Sequence, residues 1–307
     1  MSRLTVTARR RAVSIGRVFT FSLQAQPEAA ADWCDLARRA EAGGFHTLYV
    51  ADHPGTCAAP FVALAAAAAV TSTLRLGSYV VNTGVREPIL LAADVATLDV
   101  VSGGRAVLGV GAGHTPAEWT AVGKQRPGVA ARIEHCITVT EATMRLLGGD
   151  GLRAPVPVQQ PVPLLVGGGN SRLLSWAARN ADVIGLSGLG KTLADGHSHQ
   201  ARWRLADIDA QVELASGTPV EALVQHVEVT DDAGAVYAKW ADDAQLPEAQ
   251  MALVPYVLAG TEQEIVAKLD DLRRRWDISR YAVRRPALDP VIKVINCSRS
   301  QAVQHSC

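Results

Sequence analysis

Two histidines pose the chemical question in this 307-residue chain. His53 follows Asp52 where one apolar run ends, and His114 follows Gly111-Ala112-Gly113 where another ends. An imidazole exchanges its proton near neutral pH, so histidines on neighbouring strand ends supply an acid or a base to whatever lies between them. A single histidine so placed is usually a surface or capping residue; two on one predicted face point to catalysis. The others, His46, His135, His197, His199, His226 and His305, show no metal-ligand spacing on a shared helix, and no metal site is expected. His197 and His199 fall in a polar loop where solvation is expected.

Glycines supply the second set of signals. Gly167-Gly168-Gly169-Asn170 separates an apolar run from a helical pattern. Three glycines let the backbone approach a ligand, and free amides at a helix start attract an anion. The same residues also suit a sharp turn in which Asn170 or Ser171 caps the helix. Residues 185–192, GLSGLGKT, satisfy the phosphate-loop pattern, but LADGHSHQ follows where a phosphate loop would open a helix, and nucleotide hydrolysis is not expected. Gly109, Gly111 and Gly113 do not spell the dinucleotide fingerprint, because position 114 is histidine. They either admit a flat ring at the strand ends or pack strand against helix. Asn82 ends another strand, as a ring contact or as an ordinary turn residue.

These residues need elements to position them. Strands are predicted from near 18, 46, 75 and 105, spaced by 28–30 residues, with further strands over 163–166, 182–187, 222–229 and 281–283. Helices are predicted over 30–42, 58–71, 89–101, 129–147, 171–180, 231–249 and 261–276. The last carries Thr261 and Glu264 in capping-box register. The helix over 89–101 is apolar nearly all round and is expected to be packed. Regular βα units favour a parallel sheet with right-handed crossovers. Eight strands in one undivided chain of this length match a TIM barrel over 17–293, flanked by a loose arm (1–16) and a polar, mobile tail (294–307). The stretch 115–127 is read as loop.

Composition narrows the partners. Hydrophobic residues make up 48% and charged residues 20%, with 30 basic against 30 acidic side chains, which favours neither nucleic acid nor a membrane surface. The apolar runs are too short to span a bilayer and no signal peptide is recognisable, so a cytoplasmic protein is expected. Five scattered cysteines without a C-x-x-C pair argue against a disulfide framework.

The run LAADVATLDVVSGGRAVLGVGAGH, preceded by TLRLGSYVVNTGVREP, resembles the bacterial-luciferase-like superfamily of flavin and deazaflavin enzymes, more narrowly its coenzyme F420-dependent oxidoreductase branch. The resemblance extends from about residue 19 to about residue 283. It implies an α/β fold, a (β/α)8 TIM barrel of the luciferase-like type with insertions in its βα loops. It implies that Gly168, Gly169 and Asn170, with Ser187 and Gly188, hold the cofactor phosphate. Tyr79 and Val80 would form a bulge with a non-prolyl cis peptide beneath the central ring, and Asp52, Asn82, Gly111, Ala112 and Gly113 would complete the cofactor site. His53 would face the reacting ring. Relatives carry an acidic or aromatic residue where this chain has His114, which leaves His114 as proton donor or as pocket wall. The implied activity is hydride transfer from reduced F420 to an unsaturated small molecule (C=C, imine or carbonyl). The alternatives are an FMN-dependent monooxygenase using dioxygen and a non-catalytic flavin-binding protein. A homodimer through the apolar helices over 58–71 and 89–101 is also expected.

Overall fold

Eight parallel strands close on themselves: β1 (Thr20–Gln24), β2 (Thr47–Val50), β3 (Arg75–Ser78), β4 (Ala106–Gly111), β5 (Leu164–Gly167), β6 (Val183–Leu186), β7 (Val220–Leu223) and β8 (Arg280–Arg284). Each pairs with the next, and the pairing of Thr20 with Arg280 joins the last strand to the first. Helical segments follow every strand and cover the outside, which makes this the expected TIM barrel. The computed structural model describes residues 19–193 and 198–304, so the predicted arm over 1–16 lies outside the described residues.

Strand residues alternate between two cores. Leu23, Leu48, Leu76 and Leu108 face the helices, while Tyr49, Tyr79, Val107, Leu165, Leu223 and Ala282 fill the barrel interior. Within that interior lies one fully enclosed charge, Glu221, which meets Arg280 Nε at 3.5 Å and accepts from Tyr49 Oη at 3.1 Å.

Several expectations need correction. The strand over 74–81 is interrupted: Arg75–Ser78 is followed by a cis Tyr79–Val80 peptide, and Val81–Asn82 then pairs with Val110 and Gly111. The run over 222–229 divides, because the chain leaves the barrel where Gln225 N donates to Tyr256 O. Its second half, His226–Val229, pairs outside the barrel with Val257–Gly260. The helix over 231–249 stops at Ala244, where Gln245 takes a left-handed conformation, and a short turn, Glu248–Met251, follows Pro247.

The tail is not loose through residue 304, since a helix spans Leu288–Gln304. Its apolar side chains Val291, Val294 and Ile295 recur at helical spacing and are buried, against the helix Glu262–Trp276 and against β1. The helix Pro88–Val101 is packed on one side only. Leu91, Ala92, Val95, Ala96 and Leu98 are enclosed, whereas Ile89, Leu90, Val100 and Val101 remain exposed, as does Val62 on the neighbouring helix Pro60–Ala68. A barrel helix has one inward face, so an all-apolar sequence leaves apolar surface behind. Among the described residues no helix is long and apolar enough to cross a membrane.

Candidate active site

All eight strands send residues to one cavity of about 250 Å³ at their carboxyl ends. Its lining includes Gln24 from β1, Asp52 and His53 after β2, Tyr79, Val80 and Asn82 after β3, and Gly111, Ala112, Gly113 and His114 at the end of β4. Gly168, Gly169 and Asn170 follow β5, Ser187 follows β6, and Leu223 and Arg284 close the circle from β7 and β8. Every residue assigned to the catalytic or cofactor site from the sequence therefore meets here except Gly188. That glycine (φ +67°) packs beneath Trp203 and within 2.9 Å of Tyr256 for any added Cβ, and its carbonyl accepts from Arg202 N, so it stands behind the wall.

The cavity floor explains the glycines. A Cβ on Gly109 would overlap the Ser78 carbonyl. One on Gly111 would lie 2.6 Å from Val80 Cγ2, one on Gly167 2.7 Å from Val80 Cγ1, and one on Gly185 2.5 Å from the Tyr79 hydroxyl. Real Cβ atoms do not approach so closely, so glycines on β4, β5 and β6 clear the space into which Tyr79 and Val80 are set. Val80 is left as an apolar platform at the mouth.

The polar groups are tied to one another above this floor. His53 Nδ1 lies 2.6 Å from Glu118 Oε1, and Asn82 Nδ2 donates to Glu118 Oε2, also at 2.6 Å. Glu118 is 3% exposed and sits in the short helix Pro116–Ala121, within the stretch read as loop. Burial alone would raise its carboxyl pKa, but the bonds from His53 and Asn82 outweigh that and hold it below the usual carboxylate range. A carboxylate accepts and cannot donate, so His53 carries a proton on Nδ1 and Nε2 is the nitrogen open to a ligand. Asn82 is fully engaged, since its Oδ1 also accepts from Gly84 N at 3.0 Å. Asp52 is paired through both oxygens with Arg86, at 3.0 and 2.7 Å.

His114 packs edge-on between His53 and His199, with ring centroids 5.4 and 4.4 Å apart. Burial first, then the neighbouring His53 and His199, pull its pKa from 6.5 to about 4, so it is neutral at physiological pH. The position of His199 corrects the expectation of a solvated side chain: the strand His199–Ala201 pairs with Leu189–Thr192, and His199, Leu189 and Gly190 line the mouth. His197 lies outside the described residues. That same pairing places Lys191 and Thr192 in a strand, where a phosphate loop would begin a helix. Asn170 caps the helix Ser171–Asn180, accepting from Arg172 N at 3.0 Å and Leu173 N at 3.4 Å.

Three contributors were not singled out from the sequence. Besides Glu118, they are Gln24 and Arg284: Gln24 donates to the Tyr79 carbonyl, and Arg284 donates to Gln24 and, at 3.3 Å, to Gln225 behind it, so Gln24 and Arg284 link the ends of β1 and β8 at the mouth. Glu118 lies four residues after His114 but pairs with His53, so its sequence position carried no signal of its partner. Arg284 and Gln24 had only their positions at strand ends. Among the described residues no group of three or more metal-ligating side chains is assembled.

A parallel barrel with its cavity at the carboxyl ends of the strands defines the class, and the comparisons name it. Residues 13–277 match the luciferase-like monooxygenase family, and the chain belongs to that family. An uncharacterized protein of Mycobacterium tuberculosis is 33% identical over 180 residues, covering 48% of this chain and 64% of the relative, so the match spans less than two thirds of the relative's length. The coenzyme F420 dependent tetrahydromethanopterin reductase from Methanopyrus kandleri has a similar fold (TM-score 0.66, 18% identity, covering 94% of this chain and 99% of the other). EDTA monooxygenase from Chelativorans sp. BNC1 is also similar in fold (TM-score 0.71, 15% identity, covering 93% and 94%). Members of this family are oxidoreductases or monooxygenases.

Proposed function

We propose that the protein uses reduced coenzyme F420 to reduce a C=C, imine or carbonyl group of a small-molecule substrate held at the barrel mouth. The observation that carries the reading is the His53–Glu118 pair opening onto an apolar platform. The residues present fit a flat tricyclic group: Val80 offers a floor, glycine backbone at Gly167 to Gly169 allows close approach, and among the described residues no bulky side chain fills the space. When bound, the reduced deazaflavin supplies a hydride, and the protein supplies alignment and a proton.

His53 is assigned the proton. Glu118 fixes its Nδ1–H, so the protonated ring donates from Nε2 toward the cavity, and Asn82 keeps Glu118 ionised and oriented. His114 is assigned the wall, because a neutral, largely enclosed imidazole is a poor acid near pH 7. Gly168, Gly169, Asn170 and Ser187 are assigned the cofactor's phosphate side, and Gly111 to Gly113 the ring edge. The paired strands Leu189–Thr192 and His199–Ala201 at the mouth help exclude water.

The fold likeness to EDTA monooxygenase favours a second reading, in which FMN is the cofactor and dioxygen a substrate. Titrating F420 and FMN into the apoprotein, with protein fluorescence and cofactor absorbance as readouts, separates the two. Tighter binding of F420 is expected. Tighter FMN binding, with dioxygen consumption once a reductase is added, overturns the first reading in favour of the second.

A further inference from the structure

Two neighbouring arginines at the end of β8 take different partners. Arg285 pairs with Glu28 and Asp32. Arg284 lines the cavity, and among the described residues no carboxylate pairs with it. Its terminal nitrogens meet amides instead: Nη1 donates to Gln24 Oε1, and Nη2 to Gln225 Oε1 at 3.3 Å. Enclosure draws its pKa down. A guanidinium only donates, so each glutamine must turn its oxygen to Arg284 and its NH2 away. Gln24 Nε2 then donates to the Tyr79 carbonyl, in the peptide that joins Tyr79 to the Val80 platform. Gln225 Nε2 donates to the Ser187 carbonyl at 3.1 Å and to the Leu223 carbonyl at 3.0 Å. A carboxylate in either place would pair more strongly with Arg284 but has no proton to pass on to a carbonyl. The amides therefore relay an orientation, where acids would only neutralise a charge.

We propose that Arg284 is a positioning residue for the cofactor pocket, acting through two amides: Gln24 holds the ring platform at Val80, and Gln225 holds the segment after β6 that carries Ser187. One side chain from β8 thus sets the ring side and the phosphate side of the pocket in register. The cofactor in this role rests on the function proposed above; the two amide relays do not.

The variants Gln24→Glu and Gln225→Glu separate positioning from packing. Each is expected to melt at or above the wild-type temperature, because a carboxylate joins the enclosed guanidinium. Each is nevertheless expected to weaken binding of whichever of F420 and FMN the wild type holds by about five- to tenfold, through the lost hydrogen bonds to carbonyls. Gln24→Glu is also expected to shift the visible absorbance of the bound ring, and Gln225→Glu to leave it unchanged. Hydrogen–deuterium exchange of the apoproteins is expected to rise over 77–82 in Gln24→Glu and over 185–189 in Gln225→Glu. Arg284→Met is expected to show both sets of changes, and Arg284→Lys to recover part of them. Should a glutamate variant fail to fold, Gln24→Met or Gln225→Met removes the relay without adding a charge and is expected to give the same rise in exchange. Unchanged affinity and exchange in these glutamine variants overturns the proposal. So does a loss of affinity in Arg284→Met that neither glutamate variant reproduces, which assigns Arg284 a direct contact with the ligand. A wild-type protein that binds neither cofactor removes the cofactor reading, and the exchange over 77–82 and 185–189 still decides the relays.

Discussion

His53 depends on a residue 65 positions away in sequence, because Glu118 chooses which of its nitrogens faces the ligand. Glu118→Gln removes the charge while nearly preserving shape, and an amide nitrogen in place of Oε1 can turn the imidazole to its other tautomer. Turnover is expected to fall by roughly ten- to a hundredfold with cofactor affinity unchanged, and His53→Ala by about a hundredfold or more, as measured by steady-state kinetics and cofactor titration. His114 gives a separate test through stability. Its pKa is depressed from 6.5 to about 4 in the fold, so between those values the unfolded chain binds a proton that the native protein does not. Its contribution is present above about pH 6.5 and is lost as pH falls toward 4. Thermal melts across that window are expected to show a steeper loss for the wild type than for His114→Gln. Of these residues the two histidines were legible, since each closed an apolar run. Glu118 was not, because a lone acid in a loop-like stretch gives no sign of which imidazole it will meet.

At the level of elements, the strands were legible because they are short apolar runs bounded by glycine and polar turns, the first four of them at even spacing. The capping box at Thr261 and Glu264 was legible for a similar reason: it is a local pattern, and both of its bonds form. Thr261→Ala is expected to cost about 1 kcal/mol of unfolding free energy, read from urea denaturation. The six-residue helix Pro116–Ala121 was hidden, being too short for apolar periodicity to register. The outer pair His226–Val229 and Val257–Gly260 was hidden too, since pairing between segments that far apart depends on tertiary contacts and leaves no local mark. The glycines of β4 were ambiguous in sequence. The structure shows that Gly109 makes room for the Ser78 carbonyl and Gly111 for Val80, so they serve packing and the site together.

For the whole molecule, even spacing could not distinguish a closed barrel from an open sheet; the pairing of β8 with β1 decides it. Glu221 and Arg280 reinforce that closure from inside, linking β7 to β8, while the Tyr49 hydroxyl ties in β2 from across the barrel. Removing one partner of an enclosed ion pair leaves the other uncompensated. Glu221→Gln is therefore expected to cost about 3 kcal/mol, seen as a lower denaturation midpoint with an unchanged slope. The division between a floor templated by absent Cβ atoms and walls drawn from the described residues among 114–129, 189–193 and 199–202 bears on how such proteins diversify. A chimaera that grafts those wall segments from a homologue onto this scaffold should transplant selectivity and leave the proposed reducing step in place. New chemistry of recognition is thus reached by exchanging surface segments, with the strands inherited unaltered.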